Sequence, residues 1–402
     1  MSRWFALSAC IMLVLILMSL PSSHAPTLER SNAPTLERSS HARQQQNGPW
    51  LQVNDSAFGL PGGGPTDQPY ANEQAFEVLV ANDQLYLGME ANNDLGARLW
   101  RSRAGVTLPT SQADWQEVAA DNAGAPFGND QRQQGALQND HIDSLALFQD
   151  QIYVSTANGG SSRQGTLIYR SPSGDRLSWT QVITAGFGAP DNTNFKDMTV
   201  FAGQLCGGTL NTVSGAQLWC STDGTTWQQY NISGFGDGLN QGIWSLHSFN
   251  GALYAGVNHA RANGAKAKLF RTTSLDDPAA WEEVFDGPAG SVVAMIAGDL
   301  DGYLYMATQT INGIAIWRSA SGDVDSWVRV SSTGMDQNPA NVGSVTDGGV
   351  MYADTLVIAV INETTGLELW QTSGILAMMV SASIGLCLNR VVWVMPITMQ
   401  HN

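Results

Sequence analysis

The chain has 402 residues, of which 13% are charged and 42 are glycine, and its formal net charge is −16. Such a balance repels a phosphate backbone, which excludes nucleic acid as a partner. Low charge with plentiful Gly, Asn, Gln, Ser and Thr is the profile of a turn-rich, secreted all-β protein.

In chain order, residues 1–25 place Arg3 ahead of an apolar run and end in Ser-Ser-His-Ala, the layout of a secretory signal peptide. The expected location is therefore secreted or cell-surface. The letters Leu7-Ser8-Ala9-Cys10 match a lipobox but stand before the apolar run rather than after it, which speaks against lipidation. Residues 26–47 hold a direct duplication, APTLERSN then APTLERSS, with no apolar period, so a disordered linker is expected.

Residues 48–374 are a repeat. An aliphatic residue, an aromatic, usually Arg, then Ser or Thr recurs at Leu99, Ile168, Leu218, Leu269, Ile316 and Leu369. A Trp followed three residues later by Val or Tyr recurs at Trp50, Trp115, Trp179, Trp227, Trp281 and Trp327. The most regular copy, residues 203–236, reads as three short strands joined by Gly-, Asn-, Ser- and Asp-rich turns, with a further strand just before it. A four-stranded unit of roughly 50 to 65 residues cannot bury both faces alone and must stack on its neighbours. The expected fold is an all-β, six-bladed β-propeller of four-stranded antiparallel blades. The first Trp strand precedes any complete blade and the last blade lacks one, so the N-terminal strand around residues 50–53 is expected to close the ring against residues 368–372.

Residues 375–402 carry one charge, four Met and no blade signature, and their 14-residue apolar run is short for a membrane span. An irregular apolar tail is expected, poorly folded or frame-shifted. Membrane contact would come only through the signal or this tail.

The turns after the third strand read SPSGDRLSW from Ser171, STDGTTW from Ser221 and SASGDVDSW from Ser319. They resemble the Ser-x-Asp-x-Gly-x-x-Trp turn of Asp-box, sialidase-like propellers, and more loosely Kelch-like and other secreted propellers. STDGTTW is one residue short, and Ser173 and Ser321 stand where the box has Asp. What the resemblance implies is the fold, because in that family the box is a structural turn remote from the catalytic face.

Catalysis of the sialidase kind would need three convergent arginines, a Tyr activated by a Glu, and an acid. Arg101, Arg170, Arg271 and Arg318 all occupy one repeated third-strand position, which reads as a structural contact. No paired carboxylates stand at a readable spacing, and His141, His247 and His259 show no zinc spacing. No catalytic set and no metal site is expected, and no cofactor, although residues 299–305 (DLDGYLY) share two carboxylates and a Gly with a calcium loop. A DG hairpin turn explains them equally well.

The loops before the first strands and those between second and third strands share one end of the meander and vary in length, so ligand contacts are expected there. The candidate ligand-binding residues are Asn139, His141, Asn194, Asn240 and Trp244, as donors, acceptors and a stacking ring.

Cys206 and Cys220 are expected to form a disulfide. Where other copies pair Tyr with Arg, as at Tyr86 with Arg101 or Tyr254 with Arg271, this copy has both cysteines. Joint replacement places the two positions face to face on adjacent strands.

The functional expectation is a secreted, monomeric, non-catalytic binding or adhesion propeller with an extracellular glycan or protein ligand. The alternative is a glycoside hydrolase or lyase of sialidase-like architecture.

Overall fold

The computed structural model describes residues 58, 72–91, 97–106, 108–119, 127, 139–159, 164–260, 266–310, 313–344, 349–352, 355–362, 364 and 366–372. The expected signal peptide, linker, closing strand at residues 50–53 and tail at 375–402 lie outside the described residues.

The described chain is built almost wholly of short strands in antiparallel meanders. The first comprises β1 (Asn72–Ala81), β2 (Gln84–Ala91), β3 (Arg98–Ser102) and β4 (Trp115–Glu117). The second has β5 (Ile142–Phe148), β6 (Gln151–Thr156), β7 (Ile168–Ser171) and β8 (Thr180–Gln181). The third runs through β9 (Asn194–Phe201), β10 (Gln204–Leu210), β11 (Leu218–Ser221) and β12 (Gln228–Gln229), the fourth through β13 (Asn240–Phe249), β14 (Ala252–His259), β15 (Lys268–Thr272) and β16 (Glu282–Asp286). The fifth has β17 (Ser291–Leu300), β18 (Tyr303–Thr310), β19 (Ala315–Ser319) and β20 (Val328–Arg329). In the last sheet β21 (Asn341–Ser344) and β22 (Val350–Tyr352) share one edge of β23 (Thr355–Asn362), and β24 (Gly366–Thr372) takes the other. This is an all-β, propeller-like arrangement.

The first hairpins of the first five sheets close on two residues with positive φ: Asn82-Asp83, Gln149-Asp150, Ala202-Gly203, Asn250-Gly251 and Asp301-Gly302. This geometry matches the right-handed twist of the flanking strands. The first strands of successive sheets, β1, β5, β9, β13 and β17, lie beside one another and form the inner edge. Single bridges, Leu210 to Gly242 and Asn258 to Val293, tie the third sheet to the fourth and the fourth to the fifth.

Burial between sheets is repeated as regularly as the strands. Phe58, Phe127, Phe187 and Phe235 hold left-handed φ values of 52°, 42°, 58° and 54°. Each lays its ring on the third-strand aromatic of the sheet that follows, Trp100, Tyr169, Trp219 and Phe270, with centroids 4.4 to 4.8 Å apart in the first three pairs and 4.1 Å in the last. The fourth-strand Trp of that sheet, Trp115, Trp179, Trp227 or Trp281, meets the same ring edge-on. A left-handed Phe costs about 1–2 kcal/mol, and the two aromatic contacts it gains offset that cost. The repeated tryptophans therefore act as packing anchors.

The disulfide is present. Cys206 and Cys220 face each other across β10 and β11 with Cα atoms 4.0 Å apart. The register places Tyr86 opposite Arg101, Tyr153 opposite Arg170, Tyr254 opposite Arg271 and Tyr305 opposite Arg318 in the same way. Among the described residues no helix is long and apolar enough to cross a membrane.

Candidate functional site

The first strands carry β-bulges near the end where the loops between sheets enter. Opposite their second strands, Phe76 in β1, Asp143 in β5 and Trp244 in β13 are each the extra residue. A bulge re-aims a side chain that regular pleating would bury in the sheet. Phe76, Asp143 and Trp244 each stand four residues after an asparagine, Asn72, Asn139 and Asn240, and Lys196 in β9 stands four after Asn192.

These four positions are linked through one network across four sheets. The Phe76 ring stacks on His141, centroids 4.0 Å apart and planes 9° from parallel. His141 bridges two carboxylates, with Nδ1 3.1 Å from Asp140 Oδ2 and Nε2 3.0 Å from Asp143 Oδ1. Lys196 Nζ donates to the same Asp143 Oδ1 at 2.6 Å and lies 4.7 Å from the centre of the Trp244 ring. Trp244 Nε1 donates to Asn258 Oδ1 at 3.1 Å.

Exposure is graded along the network. The Asp143 side chain is 0% exposed, Lys196 8%, His141 13% and Asp140 28%. Burial penalises the Asp143 carboxylate, yet the Lys196 and His141 charges outweigh it and hold the group well below the usual carboxylate range. Burial likewise works against charging His141, but Asp143 and Asp140 lift its pKa from 6.5 to about 9. Both shifts favour the charged forms, an ionised Asp143 beside a protonated His141. Asp143 Oδ2 is buried without a hydrogen-bond partner.

Of the expected site residues, the structure brings His141 and Trp244 into this network. The asparagines serve differently. Asn139 Nδ2 donates to the Phe127 carbonyl and Asn240 Nδ2 to the Gly234 carbonyl at 2.9 Å. Asn192 to Gly186 and Asn341 to Gly334 repeat that bond at 2.9 and 3.0 Å. These side chains fasten the incoming loop to the start of the first strand. Asn192, not Asn194, is the third sheet's counterpart of Asn240; Asn194 Oδ1 instead accepts from Thr193 Oγ1 at 2.9 Å. Asp140, Asp143, Lys196 and Phe76 escaped the sequence reading, although the fixed offset from a loop asparagine was a usable signal for three of them.

Elsewhere, His247 pairs with Asp299 at 2.8 Å and His259 with Asp237 at 3.2 Å. Asp301-Gly302 form a hairpin turn. Among the described residues no three His, Cys, Asp or Glu side chains converge to hold a metal ion. The repeated arginines are not convergent: Arg101 reaches Asp175 at 2.7 Å and Arg271 reaches Asp323 at 2.6 Å, each in the next sheet's turn.

No protein-family model and no curated protein matches the chain. Solved structures do resemble it. An α-L-arabinofuranosidase of Fusarium graminearum gives a TM-score of 0.47 at 12% identity over 77% of this chain and 94% of that one. An α-L-arabinanase of Penicillium chrysogenum gives 0.49 at 11% identity over 81% and 99%. The SapL1 lectin gives 0.44 at 13% identity over 74% and 92%. At these identities the likeness speaks of the fold alone. The resembling structures are mostly glycoside hydrolases, a sialidase among them, where a non-catalytic binding or adhesion module was expected.

Proposed function

We propose that the chain is a glycoside hydrolase whose site is the network around His141. The observation that carries this reading is one imidazolium held between an accessible carboxylate, Asp140, and a buried one, Asp143, which Lys196 keeps ionised. A proton held between Nδ1 and Asp140 can be passed to a leaving glycosidic oxygen or recovered from water, the two transfers that glycoside hydrolysis requires. Phe76 and Trp244 bound the network at its two ends, one stacked on His141 and the other under the Lys196 ammonium. Another exposed carboxylate on a loop entering a first strand is Asp237, 49% exposed before β13 and bonded to His259.

The same proposal takes the ring as six-bladed, closed by residues 50–53 beside β24, which has no outer neighbour among the described strands. It takes the protein as secreted, a compartment in which the Cys206–Cys220 bond persists.

The test is hydrolysis of a panel of aryl glycosides, including arabinofuranosides, galactosides and sialosides, by the purified full chain between pH 4 and pH 9. Turnover that falls by about 100-fold or more in Asp140→Asn, with unchanged melting, supports the assignment. No turnover on any member of the panel overturns it.

A further inference from the structure

The repeated third-strand arginines are not equivalent. Arg101 Nη1 donates to the Ser173 carbonyl at 2.9 Å and Nη2 to Asp175 at 2.7 Å, and Arg271 Nη1 donates to Asp323 at 2.6 Å, each in the turn of the sheet that follows. Across its own sheet Arg271 Nη2 also reaches Glu282 Oε2 at 2.7 Å. Arg318 Nη1 donates to the Tyr305 hydroxyl at 3.3 Å. Arg170, half-buried on β7, makes no hydrogen bond or ion pair among the described residues.

The sequence accounts for the difference. Four residues after the turn serines Ser171 and Ser319 stand Asp175 and Asp323, but four after Ser221 stands Thr225. Opposite Arg170 on β8 is Thr180, where Arg271 faces Glu282. The acid that the third sheet's turn does have, Asp223, is spent on that turn: Oδ1 accepts the Thr225 and Thr226 N–H groups at 2.7 and 2.6 Å, and Oδ2 accepts Thr226 Oγ1 at 3.0 Å. Tyr153, across from Arg170 and fully buried against Gly224, has a hydroxyl without a hydrogen-bond partner. Its counterparts Tyr86 and Tyr254 give theirs to the Ser173 and Ser321 carbonyls. Two donors at this corner thus lack the acceptors that the same residues have in the first and fourth sheets.

We propose that the corner between the second and third sheets binds a carboxylate from outside the chain, free or carried on a sugar, at the position that Asp175 and Asp323 fill elsewhere. The Arg170 guanidinium is a planar fork of donors that matches a carboxylate's two oxygens. Thr180 and Thr225 are both exposed, so the positions where an acid would stand face solvent. A half-buried guanidinium without an acceptor has lost hydration with nothing in return, and a bound carboxylate restores that loss. The site is independent of the hydrolase reading, because it shares no residue with the network around His141.

The experiment is an NMR titration of the purified full chain with acetate, D-glucuronate and D-glucose in parallel at constant ionic strength, following the arginine side-chain N–H resonances. Saturable shifts of the Arg170 resonance, identified by its loss in Arg170→Gln, are expected with both carboxylates and not with glucose. Either order of the two supports the site: tighter glucuronate points to an acidic sugar, tighter or equal acetate to a free carboxylate. Thr225→Asp supplies the missing acid from within, and should weaken both by about tenfold or more and raise the melting temperature. Thr222→Asp adds the same charge one turn position away from the alignment and should do neither. No saturable shift, an equal response to glucose, or equal losses in Thr225→Asp and Thr222→Asp would each overturn the proposal. Should Arg170→Gln fail to fold, the comparison of the two threonine variants decides.

Discussion

The hydroxyl of Tyr254 on β14 donates at 3.3 Å to the carbonyl of Ser321, in the turn of the following sheet. Tyr86 makes the same bond to Ser173 at 3.4 Å. The partner Arg on the third strand reaches the Asp of that same turn, Arg101 to Asp175 and Arg271 to Asp323. Turn glycines admit the tyrosine: a Cβ on Gly174, Gly224 or Gly322 would come within 2.2 Å of the hydroxyl of Tyr86, Tyr153 or Tyr254. The Ser-x-x-Gly turns are therefore sockets for the preceding sheet. The fourth sheet's turn, Ser274-Leu275-Asp276-Asp277, has no such glycine, and the third sheet, which would feed it, carries Cys206–Cys220 in place of Tyr and Arg. Where the socket is missing, the plug is replaced by a covalent tie.

Gly322→Ala combines a clash with the Tyr254 hydroxyl and an unfavourable φ of 72°, whereas Gly251→Ala, at φ 76° with nothing within 4 Å, has only the second fault. Denaturant unfolding should show about 1 kcal/mol lost at Gly251 and about 2–3 kcal/mol at Gly322. Equal losses would mean that the socket contributes nothing.

Removing the disulfide by Cys206→Ser with Cys220→Ser frees a loop of sequence separation 14 in the unfolded chain. The chain-entropy account gives a cost of about 3 kcal/mol. The melting temperature should fall in the double variant and in the wild type under reductant, and reductant should then leave the variant unaffected.

His141 sets a pH dependence. Its pKa is raised from 6.5 to about 9 in the fold, so its contribution is complete below pH 6.5 and is lost as pH rises through 9. Asp143 is shifted down, so its contribution is present above pH 3.8 and is lost as pH falls below that. Stability should therefore hold between about pH 4 and 6.5 and decline by on the order of 2 kcal/mol toward pH 9. In His141→Gln the alkaline decline should flatten, and an NMR titration of the ring should place its midpoint near 9 in the wild type.

Lys196→Met should cost about 3–5 kcal/mol, because it leaves the fully buried Asp143 without its ammonium. The double variant Lys196→Met with Asp143→Leu should recover much of that loss. A double-mutant cycle with no coupling would show that the 2.6 Å contact carries little energy.

The repeat, the strand order within it, the aromatic anchors and the Cys206–Cys220 pairing were legible in the sequence. Each depends on residues that recur at a fixed offset or change together between copies, and local pairing rules convert such recurrence into register. The site was not legible in the same way. His141 and Trp244 could be named from their place on a rim, but Asp143 and Lys196 meet from β5 and β9, 53 residues apart. No spacing rule relates them, because the contact exists only once two sheets stand side by side and the bulge in β5 turns Asp143 toward its neighbour. The asparagines show the converse: Asn139 and Asn240 look like ligand donors in sequence, and only packing reveals that the Phe127 and Gly234 carbonyls already occupy their amides. Recurrence fixes what every sheet shares, whereas chemistry arises where sheets differ, and those differences act only through tertiary contact.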